Sequence, residues 1–193
     1  MRFSANKPPD LKLALLAALA IIALAGPAIA ADGISVEDVN GRFENGMYVV
    51  KSRVAFDLTG DMREAINNGI DLSYDVEIEI YARRRWLWDY LIVRSVQRID
   101  IAYHALTATY IVTNETTRNK ENFATLDEAL GALGRLNRIV VSEQKYLPGP
   151  AAYQGRIRIK LDVNALPAPL RPIAYLSPDW DLRSDWQFWE VTP

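Results

Sequence analysis

Near the C-terminus, Asp179, Asp181 and Asp185 flank Trp180 and Trp186, so three carboxylates stand beside two indoles. Paired carboxylates about 5–9 Å apart can cleave a glycosidic bond, with tryptophan as a sugar platform. On that reading Asp179, Trp180, Asp181, Trp186 and Trp189 form a ligand groove. Calcium would suit the hard oxygen ligands, but the spacing lacks a defined loop pattern. The competing reading of Trp180, Trp186, Phe188 and Trp189 is closure of a core, because large aromatics mainly bury area.

Other catalytic arrangements are thinly represented. The chain has one histidine, His104, and no cysteine. A metal site with two imidazoles is therefore impossible, and a Ser, His and carboxylate triad would have to use His104. No Gly-x-Ser-x-Gly elbow is present to hold a nucleophile. His104 reads as a hydrogen-bonded structural residue. A second acidic group, Asp71, Asp75, Glu77 and Glu79, alternates along one strand and reads as solvated ion pairs. The least ordinary feature is Arg83 to Tyr90, where Arg83, Arg84 and Arg85 precede Trp86, Trp88 and Tyr90. Arginine and aromatic residues are enriched at binding hot spots and at membrane interfaces. These six are the partner-binding candidates, for a protein or a peripheral membrane-surface contact.

The elements that position these residues are mostly strands, because the dominant pattern is period-two alternation. Ile34 to Phe43 reads as one strand. Glu44-Asn45-Gly46 then marks a hairpin turn into a second strand, with Tyr48, Val50, Val54, Phe56 and Leu58 on one face. Ile70 to Ala82 alternates Ile70, Leu72, Tyr74, Val76, Ile78 and Ile80 with the acidic residues. It pairs antiparallel with Tyr90 to Tyr103 across the Arg83 tip. Setting Ile80 opposite Val93 places Glu79 against Arg94 and Asp75 against Arg98, each pair worth about 0.2–1 kcal/mol. Further strands are expected at Leu106 to Thr113, Arg138 to Glu143, Tyr153 to Val163 and Trp186 to Val191. A helix over Asp61 to Asn68 stops at Gly69, and a second begins at the capping box Thr125-Leu126-Asp127-Glu128 and ends near Leu136. The segment Leu166 to Pro172 reads as a loop. About eight strands and two short helices fit an all-β, antiparallel, immunoglobulin-like β-sandwich. A closed barrel, soluble or in an outer membrane, would show the same alternation.

Ahead of this domain, residues 1–30 read as a signal peptide: basic Arg2, Lys7 and Lys12, an apolar run Leu13 to Ala25, Gly26-Pro27, and the cleavage site Ala28-Ile29-Ala30. The alternative is an uncleaved anchor, although a spanning helix needs about 20 apolar residues. Residues 31–193 form the single expected domain, carrying 19 Lys and Arg against 23 Asp and Glu. That mild acidic balance, with export to the periplasm, excludes nucleic-acid and nucleotide-driven functions. No cofactor is indicated.

Four stretches of the domain resemble a known family: Glu64-Ala65-Ile66 through Gly69-Ile70-Asp71-Leu72; Arg83 through Asp89; Tyr103-His104-Ala105-Leu106-Thr107 with Tyr110; and Leu166 through Arg171 leading to Asp179 through Trp186. The chain resembles the domain-of-unknown-function 4390 family, exported Gram-negative bacterial proteins also labelled proline-rich signal-peptide proteins. The resemblance implies a genetic neighbourhood, often beside a membrane histidine kinase of the nitrogen-regulation type. The resulting expectation is a periplasmic, non-catalytic interaction module for an envelope protein, such as that kinase. The alternative is an envelope enzyme or carrier acting on a glycan or lipid through Asp179, Asp181 and the nearby tryptophans.

Overall fold

Two long hairpins set the architecture, each fixed by its own alternation. The computed structural model describes residues 33–84, 88–147 and 152–191. The leader read over residues 1–30 and the tip candidates Arg85 and Trp86 lie outside the described residues. Strands β1 (Gly33–Glu44) and β2 (Met47–Asp57) form the first hairpin. Its turn is Asn45-Gly46, with φ of 50° and 76°, the paired positive values that match strand twist in a two-residue turn. Strands β3 (Leu72–Ala82) and β4 (Tyr90–His104) form the second. Its register is the expected one, with Ile80 opposite Val93, Glu79 opposite Arg94, Asp75 opposite Arg98 and Leu72 opposite Ile101. A bulge after Ile80 then sets Tyr81 opposite Leu91.

The remaining strands are β5 (Thr109–Asn114), β6 (Asn119–Phe123), β7 (Arg135–Glu143), β8 (Tyr153–Leu161) and β9 (Gln187–Val191). They complete a three-stranded sheet, β1-β2-β7, and a six-stranded sheet, β6-β5-β4-β3-β8-β9. Every pairing is antiparallel. Among the described residues the result is a two-sheet sandwich of nine strands, against an expectation of about eight. An immunoglobulin constant domain divides its strands four and three; here the division is six and three, so the likeness is to the two-layer principle. The additional strand is β6, polar and at the sheet edge, where no apolar face is required. Strand β5 begins at Thr109 instead of Leu106, because the chain turns through Ala105 to Ala108 first.

Between the sheets lie Leu72, Tyr74, Val76, Ile78 and Ile80 of β3 and Ile157, Ile159 and Leu161 of β8, against Tyr48, Val50 and Val54 of β2. Burying each such aliphatic side chain contributes about 1.5–3 kcal/mol. Helix α1 (Gly60–Asn67) is capped by the Thr59 hydroxyl, which accepts from the Met62 amide, and it sends Met62 and Ile66 into this core. Gly69 follows at φ 81°. Helix α2 (Leu126–Leu133) carries the complete Thr125/Glu128 capping box and buries Leu126, Ala129, Leu130 and Leu133. It stops three residues short of Leu136, which already belongs to β7. A third helix, α3 (Arg171–Leu176), occupies part of the segment read as a loop, with Pro172 in its first turn. Among the described residues no helix is long and apolar enough to cross a membrane.

Candidate functional site

The outer face of the six-stranded sheet is built around β3, whose two neighbours are both basic. Arg94 and Arg98 of β4 flank it on one side; Arg156, Arg158 and Lys160 of β8 flank it on the other. Glu77 Oε2 accepts from Arg158 at 2.6 Å, and Glu77 Oε1 lies 2.8 Å from Lys160 Nζ. Glu79 Oε2 accepts from Arg156 Nε at 2.8 Å and from the Tyr81 hydroxyl at 2.7 Å. Arg98 bridges Asp75 and Asp162. Trp186 closes the top, its ring 4.3 Å from the Arg156 guanidinium and 4.4 Å from that of Arg158. The side chains of Glu77 and Glu79 are only 3% and 6% exposed. Asp75, Glu77 and Glu79 are therefore paired, while Asp71 has no ion-pair partner among the described residues, and Glu77 and Glu79 are buried rather than solvated. Burial alone would raise both pKa values; hydrogen bonds from Lys160 and Arg158 to Glu77, and from Tyr81 and Arg156 to Glu79, bring both below the usual carboxylate range.

Exposed apolar side chains also stand on this face, Val96 within the ladder and Leu91 toward the hairpin tip. Leu91, opposite Tyr81, and Val96, opposite Glu77, are 40% and 48% exposed, and Phe188, opposite Arg156, is 54% exposed. A hollow of about 230 Å³ lined by Tyr81, Asp89, Gln154, Arg156 and Phe188 joins this face to the tip. The tip is closed by the Arg84 amide donating to Asp89 Oδ1 at 3.3 Å and anchored by the Arg83 amide donating to the Ala152 carbonyl at 2.9 Å. Arg84 stacks over Tyr90 at 5.0 Å, Tyr90 is 56% exposed, and Trp88 is 90% exposed. Arg84 and Tyr90 are thus held together at the end of the β3–β4 hairpin, with Trp88 exposed in the same turn. Leu91, Val96 and Phe188 were not singled out from the sequence, although Val96 between Arg94 and Arg98 is an apolar residue on a polar face and carried the signal.

Residues 31–190 match the domain of unknown function DUF4390. The chain belongs to that family. No curated protein and no solved structure matches it. The DUF4390 region includes the ionic ladder, the tip and the whole C-terminal aromatic group.

The structure divides that aromatic group. Trp189 lies between the sheets, where its Nε1 donates to the Tyr48 hydroxyl at 2.8 Å and its ring covers Gly155. Trp186 stands on the opposite face of the sheet, over the arginines. Trp180 is buried, 6% exposed, beside helix α1. Asp181 pairs with Arg183 at 3.2 Å, and Asp179 accepts from the Ser177 hydroxyl at 3.3 Å. The five groove candidates therefore do not line a common cleft. His104 is exposed at the last position of β4, with Nδ1 3.0 Å from the Thr107 hydroxyl in the turn that follows.

One further carboxylate is electrostatically unfavourable where it sits. Asp100 faces Ser73 across the β3–β4 ladder, and its Oδ1 is buried without a hydrogen-bond partner. Burial raises its pKa, the Ser73 hydrogen bond opposes this, and Glu115 adds to the rise; Asp71 is raised by burial and by Asp100. A carboxyl whose folded pKa exceeds the unfolded value of about 3.9 loses stability as pH rises through that interval. Asp100→Asn should therefore raise Tm at pH 7, with the gain disappearing below about pH 4. Thermal unfolding at the two pH values tests this; an unchanged or lower Tm at pH 7 would remove the argument.

Proposed function

We propose that this DUF4390 domain is a periplasmic, non-catalytic interaction module, exported with a cleaved leader, that binds an envelope protein through the hairpin end of its larger sheet. The observation that carries the proposal is the exposure of Trp88 beside Tyr90 and Arg84, continued on the adjoining face by Leu91, Val96 and Phe188. Aromatic and arginine side chains of this kind supply most of the energy at protein interfaces. The membrane histidine kinase that accompanies such proteins is the envelope partner favoured by the family resemblance. An enzymatic reading would need Asp179 and Asp181 to converge with the tryptophans on one substrate, and each instead has its own local partner.

The test is binding of the full chain to the purified sensor region of that kinase, comparing wild type with Trp88→Ala/Leu91→Ala. Both side chains are exposed, so the fold should be unchanged. Losing two interface anchors should weaken binding by about 1,000-fold, since each hot-spot truncation costs about 2 kcal/mol and each 1.4 kcal/mol is tenfold. Equal affinity of the two proteins, or no binding by either, would exclude this face as the contact for that partner.

A further inference from the structure

At the other end of β3 the chain forms a second, chemically different surface. After β8 it runs through a short turn (Val163–Ala165), Pro167-Ala168-Pro169, helix α3 and a second turn (Pro178–Trp180). This segment is tied back to helix α1, where the Thr59 hydroxyl donates to the Asp179 carbonyl at 3.3 Å. A cleft of about 610 Å³ remains between segment and helix, within the size range of ligand pockets. Ala65, Ile70, Leu170 and Trp180 supply its apolar lining, and Asp61 and Glu64 stand at its exposed rim. These two carboxylates are three residues apart on α1 and so share a face. Neither has an ion-pair partner among the described residues. The nearby cations are committed elsewhere: Arg63 pairs with Asp127 at 3.3 Å, and Arg171 donates to the Leu166 carbonyl at 2.8 Å.

We propose that this cleft binds a peptide segment of a partner in which a lysine or arginine stands beside apolar side chains. The lining contains two carboxylates and no cation, so a lipid phosphate or an acidic glycan would enter against uncompensated negative charge, whereas a basic side chain would neutralise it. Helix α3, which follows the cleft-lining Leu170 directly in the chain, also carries exposed apolar side chains. On α3, between Leu170 and Trp180 in the chain, Ile173 is 58% and Leu176 is 86% exposed. A small amine is far smaller than this cleft and would leave its apolar lining wet, whereas a peptide segment can cover the lining and neutralise the rim together. The site shares no residue with the hairpin end and is independent of the function proposed for it.

The probe is a blocked hexapeptide of alternating leucine and lysine, titrated at low salt into the full chain labelled for amide NMR. Its leucine–glutamate counterpart and phosphatidylglycerol vesicles serve as comparison probes. Shifts should concentrate at Ala65, Ile70, Leu170, Ile173 and Leu176. Asp61→Asn/Glu64→Gln, with an otherwise unchanged spectrum, should raise Kd about tenfold, the loss of about 1.4 kcal/mol. Ile173→Ser should also weaken binding, and Trp88→Ala should leave it unaltered. The proposal is overturned if the acidic peptide or the vesicles move the same amides as strongly. It is equally overturned if the double variant binds like wild type, if the shifts lie elsewhere, or if the basic peptide gives none.

Discussion

Glu77→Ala should be among the most destabilising single changes available on the outer face, by about 2–3 kcal/mol. Glu77 is buried at the centre of three cations, Arg158 at 2.6 Å, Lys160 at 2.8 Å and Arg94 at 3.7 Å. Removing one partner of a buried ion pair costs about 3–5 kcal/mol when the other is stranded in the interior. Here the cations are 27%, 38% and 55% exposed, so they can rehydrate, and the lower figure follows. In a domain of this size the loss corresponds to a fall in Tm of roughly 5–10 °C. The effect has a defined pH dependence. The folded-state pKa of Glu77 is lowered, so its contribution is fully present above the unfolded value of about 4.3 and is lost as pH falls through the folded value. The gap between wild type and variant should thus be widest near neutrality and narrow below about pH 4. A gap that is the same at pH 7 and pH 3 would mean that shape, not charge, was lost.

Gly134→Ala should destabilise by about 3 kcal/mol, at the upper end of ordinary overpacking. Gly134 follows helix α2 with φ −72° and ψ −13°, an ordinary helical conformation, so its backbone torsions would admit any residue. Space is the constraint. A β-carbon there would overlap the Val54 carbonyl oxygen of β2, a backbone atom that cannot step aside. The same contact includes a hydrogen bond from the Val54 amide to the Gly134 carbonyl at 2.9 Å, which moving either segment would break. Gly131, three residues earlier, provides the internal comparison. Its nearest prospective neighbour is the tip of the Arg135 side chain at 3.8 Å, so Gly131→Ala should gain about 0.5–1 kcal/mol from helix propensity. Denaturant unfolding of the two variants should therefore give opposite signs. Like signs would show that the helix end, rather than the clash with β2, governs both.

Much of the framework was legible because long alternating runs leave a single register that buries their apolar face. In the β3–β4 hairpin a one-residue slip would move Leu72, Tyr74, Val76, Ile78 and Ile80 to the wrong face, and the observed pairing is the one their spacing demands. The Asn45-Gly46 turn and the Thr125/Glu128 capping box were legible for local reasons, each being complete within four residues. What escaped was non-local or weakly patterned. Strand β6, Asn-Lys-Glu-Asn-Phe, is almost wholly exposed and so carries no alternation. Helix α3 is six residues long and begins beside a proline, a signal as compatible with a turn as with a helix. The burial of Glu77 and Glu79 depends on β8 pairing with β3 and on Trp186 reaching over from the approach to β9, neither of which a single strand records. The candidate site was legible at Arg84, Trp88 and Tyr90. Its extension to Leu91 depended on the bulge after Ile80, and its extension to Phe188 depended on the β8–β9 pairing.

Strand β3 is laddered to β8 without a register break from Tyr74 to Ala82. From Leu72, two residues beyond the cleft-lining Ile70, to Ala82 at the foot of the hairpin, it extends roughly 33 Å. A sheet of six hydrogen-bonded strands resists bending along that direction. Anything gripped by one extremity and anything gripped by the other would be kept apart as if by a strut, and neither could be drawn nearer without tearing the ladder.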